Sequence, residues 1–182
     1  PLRVAEAFRT LAALHPGRIN LGLGRAPGSD GRASQALQAV DGNHFPALLN
    51  ELRVWSGEQS LPTGHALAGL YAVPGDAPLP PIWLLGSSGA SAEMAGAAGM
   101  GYSFASHFSP TPAAPAFEAY RRAFVPSAQF ANPHAILGVS VICAPTVDEV
   151  SLARTLFTAS IETPGGFKVQ TIHSFAERLL QR

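Results

Sequence analysis

Apolar residues change their spacing repeatedly along this chain, and each change marks an element. Val4, Phe8, Leu11 and Leu14 recur at helical spacing. His15-Pro16-Gly17 ends that helix, because proline lacks a donor and glycine permits the turn. From Arg18 to Leu23 the pattern alternates, with Ile19, Leu21 and Leu23 on one face, which predicts a strand. Gly22, Gly24, Pro27 and Gly28 predict a tight loop after it. Phe45, Leu48, Leu49 and Leu52 predict a second helix, and residues 56–80, rich in Gly, Pro and Ser, a long connection.

Ile82 to Leu85 is short and wholly apolar, as a strand covered on both faces should be. Gly86-Ser87-Ser88-Gly89 follows, then a helix of small residues from about Ala90 to Ala98, with Gly99 as its C-cap. Tyr102 to Phe104 predicts another strand, Phe117 to Phe124 a helix, and the Ile-, Leu- and Val-rich run Ala135 to Cys143 a fourth strand. Thr146-Val147-Asp148-Glu149 fits a capping box that opens a helix to about Ser160. Thr163-Pro164-Gly165-Gly166 then breaks the rhythm. Beyond it, Phe167 to Ile172 is strand-like and Ser174 to Arg182 reads as a helix start.

Alternating helices and strands imply an α/β fold with parallel strands and right-handed crossovers. Four strands are visible, whereas a closed (β/α)₈ barrel needs eight and typically about 250 residues. The pattern therefore gives an α/β fold of about four parallel strands over residues 1–150, with a tail over 151–182 that does not continue the rhythm. No internal repeat is visible.

Composition narrows the function classes. An apolar fraction of 47% suits a packed domain, and charged residues make up only 13% with zero formal net charge. That excludes a broad electrostatic footprint for nucleic acid or an anionic membrane. The lone Cys143 sits in an apolar run with no basic neighbour in sequence, so it reads as a small buried hydrophobe, and an intramolecular disulfide is excluded. No stretch approaches the roughly 18 apolar residues of a membrane span, and no signal peptide is visible. The expected compartment is the cytoplasm. The chain opens at Pro1, without Met and directly in a helical pattern, so the native N-terminus is expected upstream.

Candidate chemistry centres on Gly86-Ser87-Ser88-Gly89-Ala90-Ser91, between a strand and a helix. Backbone N–H groups at a helix N-terminus point at an anion and the macrodipole favours it. Ser88 and Ser91 add hydroxyls, and on a barrel this turn lies at the C-terminal face, where active sites form. The alternative is an N-cap serine on an ordinary helix. The turn is not a Walker A loop, since it has no Lys. From Ser56 to Phe117 the charged side chains are Glu58, Asp76 and Glu93, so a cation for a phosphate must come from another strand end. Arg25, just after the strand ending at Leu23, is the candidate. Gly22-Leu23-Gly24 is not a Rossmann fingerprint, because the third glycine is misplaced and no acidic residue stands well placed about 20 residues on.

Three stretches together resemble the luciferase-like flavin monooxygenases of the group 1 type. Leu14-His15-Pro16-Gly17-Arg18-Ile19-Asn20-Leu21-Gly22-Leu23-Gly24-Arg25-Ala26-Pro27-Gly28 is similar to their fourth strand and its loop. Pro81-Ile82-Trp83-Leu84-Leu85-Gly86-Ser87-Ser88 is similar to the fifth strand and phosphate turn, and Gly101-Tyr102-Ser103-Phe104-Ala105-Ser106-His107-Phe108 to the sixth. The resemblance implies a TIM barrel that binds FMN, usually reduced FMN from a separate flavin reductase, and uses O₂ to oxidise a small organic substrate. A deazaflavin in place of FMN and a homodimer of the full-length protein are consistent with it. It places the FMN phosphate on Arg25, Ser88 and Ser91 with the Gly89 backbone, and puts Ser106 and His107 near the isoalloxazine pocket, His107 as a candidate catalytic residue. Ser87 stands where luciferases themselves often carry an acidic residue, a departure that counts against luciferase activity. His15 precedes its strand, at the stability face, and receives no role.

The resemblance therefore implies a partial TIM (β/α)₈ barrel of about four parallel strands over residues 1–150, plus an unrelated tail over 151–182: the family's first three strands would precede Pro1, and the eighth is missing. A binding module without turnover is therefore the alternative expectation. From Leu152 to Arg182 the chain resembles AddA-type helicase–nuclease subunits, with Thr171-Ile172-His173-Ser174-Phe175 similar to a Thr-x-His motif that touches single-stranded DNA. Without Walker motifs no ATPase follows from it, and the expectation is a chimeric tail.

Overall fold

The computed structural model describes residues 1–25, 31–36, 42–57, 59–107, 109, 111–139, 145–152 and 155. The chain divides into two units, Pro1–Val139 and Ser140–Arg182. In the first, helix α1 (Leu2–Leu14) leads to strand β1 (Leu21–Gly24), a short helix α2 (Gly31–Ala36), a 3₁₀ turn (Gly42–His44) and helix α3 (Phe45–Trp55). Strand β2 (Ile82–Gly86), helix α4 (Gly89–Ala97), strand β3 (Gly101–Ala105), helix α5 (Ala113–Ala123) and strand β4 (Ala135–Gly138) follow. Each strand pairs in parallel with the next, in the order β1-β2-β3-β4. That is the single winding of a (β/α) barrel; a doubly wound sheet would reverse direction from its first strand.

Register gives the sheet two faces. On one, Leu23, Leu84, Tyr102 and Ala135 form a row, and Gly86, Phe104 and Leu137 form the next. This face packs on the helices: Leu84, Tyr102 and Phe104 are buried in one cluster with Ala92, Ala95, Ala116 and Tyr120. Small residues on α4 let α5 come close, since a Cβ on Gly96 would collide with the Tyr120 carbonyl. The Tyr120 hydroxyl lies 2.9 Å from Met100 O and accepts the His134 N–H at 3.0 Å, tying α5 to the starts of β3 and β4. Gly99, at φ +64°, closes α4. Its N–H reaches Gly96 O and the Met100 N–H reaches Ala95 O, both at 3.0 Å, which is the Schellman arrangement.

On the opposite face Trp83 lies across Gly101, where any Cβ would collide with the indole. Trp83 Nε1 donates to Asn20 Oδ1 at 3.2 Å, and its ring meets Phe130 and His134 edge-on at 5.3 and 5.1 Å. Aromatic rings therefore fill this face at the N-terminal ends of the strands. Towards the C-terminal ends it carries Gly24, Leu85, Ser103 and Ile136 in one row, then Ala105 and Gly138. There Leu85 and Ile136 are 45% and 44% exposed.

Several boundaries differ from the sequence reading. Strand β1 begins at Leu21 rather than Arg18, because the Leu21 N–H is the group that reaches Pro81 O, while the Asn20 side chain is engaged by Trp83. Helix α5 begins at Ala113 rather than Phe117; Pro115 lies in its first turn, where a missing N–H costs nothing. Helix α2 and the 3₁₀ turn lie in and after the segment read as a loop. Strand β4 ends at Gly138, and the 140–143 part of the predicted run lies outside the described residues. In the second unit the predicted cap is present: Thr146 Oγ1 accepts the Glu149 N–H at 3.3 Å, and residues 147–152 are helical. The predicted strand-like run Phe167–Ile172 and everything after it lie outside the described residues.

Candidate functional site

Strand β2 ends at Gly86, and the chain turns through Ser87 into α4. Ser88 is the N-cap: its backbone is extended, and its Oγ accepts the Ser91 N–H at 3.3 Å. Ser91 Oγ donates to Ser88 O at 2.8 Å and lies 3.3 Å from Ser88 Oγ. A Cβ on Gly86 would occupy the place of the Ser91 side chain, so glycine is what lets Ser91 fold under the turn. The N–H groups of Gly89 and Ala90 open α4 and have no acceptor among the described residues. Two such donors, the helix dipole and two hydroxyls at an exposed turn are the features that favour an anion at a helix start. The N-cap reading thus describes Ser88.

Tyr102 completes the turn from below, and sequence reading missed it. Its hydroxyl donates to Ser88 O at 3.2 Å and lies 3.4 Å from Ser91 Oγ, while its ring is fully buried. Burial pushes the phenol's pKa above its ordinary 10.0, and the Ser91 hydrogen bond pulls the other way. The available signal was a hydroxyl-bearing ring in an otherwise apolar strand, which must find a polar partner once buried.

Arg25 follows Gly24, the register partner of Leu85, so it stands at the same end of the adjacent strand as Ser87 and Ser88. It is exposed, its stem lies against Gly42, and its guanidinium makes no hydrogen bond or ion pair among the described residues. Ser106 and His107 leave the C-terminal end of β3. Ser106 is half-buried, with its N–H on Phe104 O at 3.1 Å. The His107 ring lies over Gly138: a Cβ there would come within 3.3 Å of Nδ1. All five cofactor candidates (Arg25, Ser88, Gly89, Ser91 and Ser106) and His107 therefore belong to the C-terminal ends of three neighbouring strands, β1, β2 and β3. Among the described residues no group of three or more His, Cys, Asp or Glu converges as a metal site would require. No helix among them is long and apolar enough to cross a membrane.

A concavity of about 550 Å³ is lined by Arg9, Trp55 and Tyr71 and shares no residue with the turn. Its buried cation is committed elsewhere. Arg9, 8% exposed, donates to Ala72 O at 2.9 Å and Ser56 O at 3.2 Å, pinning the long connection to α1 and to the C-terminus of α3.

A singly wound parallel sheet with a glycine–serine turn at its C-terminal end defines a protein of the (β/α)-barrel class. The family model of the luciferase-like monooxygenases matches residues 1–179, and the chain belongs to that family. It is 47% identical over 156 residues to protein YvbT of Bacillus subtilis, covering 85% of this chain and 45% of that one. It is 43% identical over 162 residues to a luciferase-like monooxygenase of Escherichia coli K12, covering 87% and 46%. The crystal structure of apo-MsnO8 superposes with a TM-score of 0.70 at 32% identity, covering 93% of this chain and 55% of that one. The chain spans about half the length of the relatives it matches. The family match runs through residues 152–179, the segment set apart above as helicase–nuclease-like, and that second resemblance finds no support.

Proposed function

We propose that this chain serves a flavin-dependent monooxygenase reaction, in which reduced FMN and O₂ oxidise a small organic substrate, and that it holds the FMN phosphate at the start of α4. The observation that carries the reading is the pair of N–H groups on Gly89 and Ala90, which have no acceptor among the described residues and open α4 at an exposed, glycine-bordered turn. Ser88 and Ser91 add hydroxyls, and Arg25 on the adjacent strand end supplies the cation that the region from Ser56 to Phe117 lacks. Ser106 and His107, one strand further on, would flank the isoalloxazine. Bound FMN would pass electrons to O₂; the chain's own share is to bind, orient and shield. The family reading brings a flavin reductase as the source of reduced cofactor and a homodimer as the assembly. The turn recognises a phosphate ester, so its chemistry accommodates FMN or a phosphorylated deazaflavin alike.

The test compares FMN with riboflavin, which lacks the phosphate, in fluorescence titrations. FMN should bind at least ten-fold more tightly. Arg25→Ala should remove most of that difference, since a charge-assisted hydrogen bond contributes about 1.5–3 kcal/mol. Equal binding of the two flavins by the unmodified protein would sink the reading. A second reading, flavin or phosphate binding without turnover, is favoured by the exposure of Leu85 and Ile136 beside the site.

A further inference from the structure

The Ser88 carbonyl is approached by three donors. The Ala92 N–H lies 3.2 Å away, the Ser91 hydroxyl 2.8 Å and the Tyr102 hydroxyl 3.2 Å. A carbonyl oxygen offers two lone pairs, so one donor is surplus. Ala92 is held by the helix. Tyr102 is held by the core, where its ring packs on Phe117 and Tyr120 at centroid distances of 6.2 and 5.6 Å. Ser91 is the donor that can turn, because only its side-chain torsions need change. It sits at the half-buried edge of the turn, in the room Gly86 leaves.

We propose that Tyr102 is a positioning residue for anion binding: its hydroxyl holds the Ser88 carbonyl so that Ser91 can turn its own proton from that carbonyl to a phosphate oxygen at the start of α4. The inference rests on the phosphate reading above. With Tyr102 in place, Ser88 O keeps two protein donors, Ala92 N–H and the part-buried Tyr102 hydroxyl, after Ser91 turns. Without the phenol, Ser91 is needed where it stands. Releasing it would strip Ser88 O to the single, long Ala92 bond, and the ligand would have to offset that loss.

The experiment is a double-mutant cycle read with FMN and riboflavin as probes. Tyr102→Phe keeps the ring and its packing. It should weaken FMN roughly three- to ten-fold, the worth of about one net hydrogen bond, and leave riboflavin unchanged. Ser91→Ala should weaken FMN similarly, and adding Tyr102→Phe to it should cost nothing more, because the hydroxyl that Tyr102 frees is gone. Three outcomes overturn the inference while leaving the phosphate reading intact: unchanged FMN affinity in Tyr102→Phe, equal weakening of FMN and riboflavin, or full additivity with Ser91→Ala. If the unmodified protein does not distinguish FMN from riboflavin, the phosphate reading fails and the inference goes with it.

Discussion

Single side chains here carry structural and site roles together. Ser88 caps α4 and borders its free N–H groups; Tyr102 fills the core and supports the Ser88 carbonyl. Tyr102 and Tyr120 are both fully buried, and burial raises both phenol pKa values above the ordinary 10.0. A raised acid pKa means the folded state keeps a proton that the unfolded chain gives up. Stability from these groups is therefore fully present below about pH 10 and is lost as pH climbs through the raised values. Thermal midpoints should fall steeply above pH 10, and less so in Tyr102→Phe and Tyr120→Phe than in the unmodified protein. Identical alkaline profiles in all three would remove the linkage. The place of Ser88, Gly89 and Ser91 at the start of α4 was legible in sequence, because a glycine–serine run between an apolar strand and a small-residue helix marks a helix N-terminus. The placing of Tyr102 under that turn was not, because it depends on the register of β3 against β2, which no local pattern encodes. Arg25 was legible by elimination of other cations, and its strand end follows from the pairing of Gly24 with Leu85.

At the scale of elements, the strands and their order were readable from alternation and apolar runs, whereas their edges were not. Asn20 and Ile19 continue the alternating pattern of β1, yet the ladder begins only at Leu21. Helix α2, in the sequence Gly-Arg-Ala-Ser-Gln-Ala, has no apolar stripe to announce it, and the glycine and proline before it read as loop. The same limit hides which apolar strand residues are covered. Phe104 and Leu137 are register partners on one face, yet Phe104 is 1% exposed and Leu137 48%. Phe104 packs edge-on to Phe117 of α5 at 6.1 Å, and Leu137, unlike Ala135 of the same strand, is not among the described residues packed on that core. Phe104→Ala should therefore cost about 3–5 kcal/mol in urea unfolding. Leu137→Ala, one strand away in the same row, should cost less than about 1 kcal/mol. Comparable losses at the two positions would mean that Leu137 is buried in solution.

Across the whole sheet, the aromatic plug of Trp83, Phe130 and His134 closes one end of the face opposite α4 and α5, and the candidate cofactor residues stand at the other. All-parallel sheets are normally covered on both faces. Here Leu85 and Ile136, in the row just below the candidate site, remain 45% and 44% exposed, so water reaches the floor on which a flavin ring would lie. Holding a phosphate tolerates this openness, because the free N–H groups of Gly89 and Ala90 act at an exposed helix start in any case. Oxygenating a substrate does not, because reactive species must be kept from water until the substrate captures them. The 182-residue chain on its own should therefore bind FMN through its phosphate, yet convert little of the reduced flavin it is given into oxygenated product. The check is product formed per reduced FMN consumed, measured with and without the chain on a panel of small sulfur- and carbonyl-containing substrates. A ratio indistinguishable from that of free flavin is expected. A ratio approaching one product per flavin would show that the Leu85–Ile136 face is covered during turnover, and the exposure seen here would then not describe the working protein.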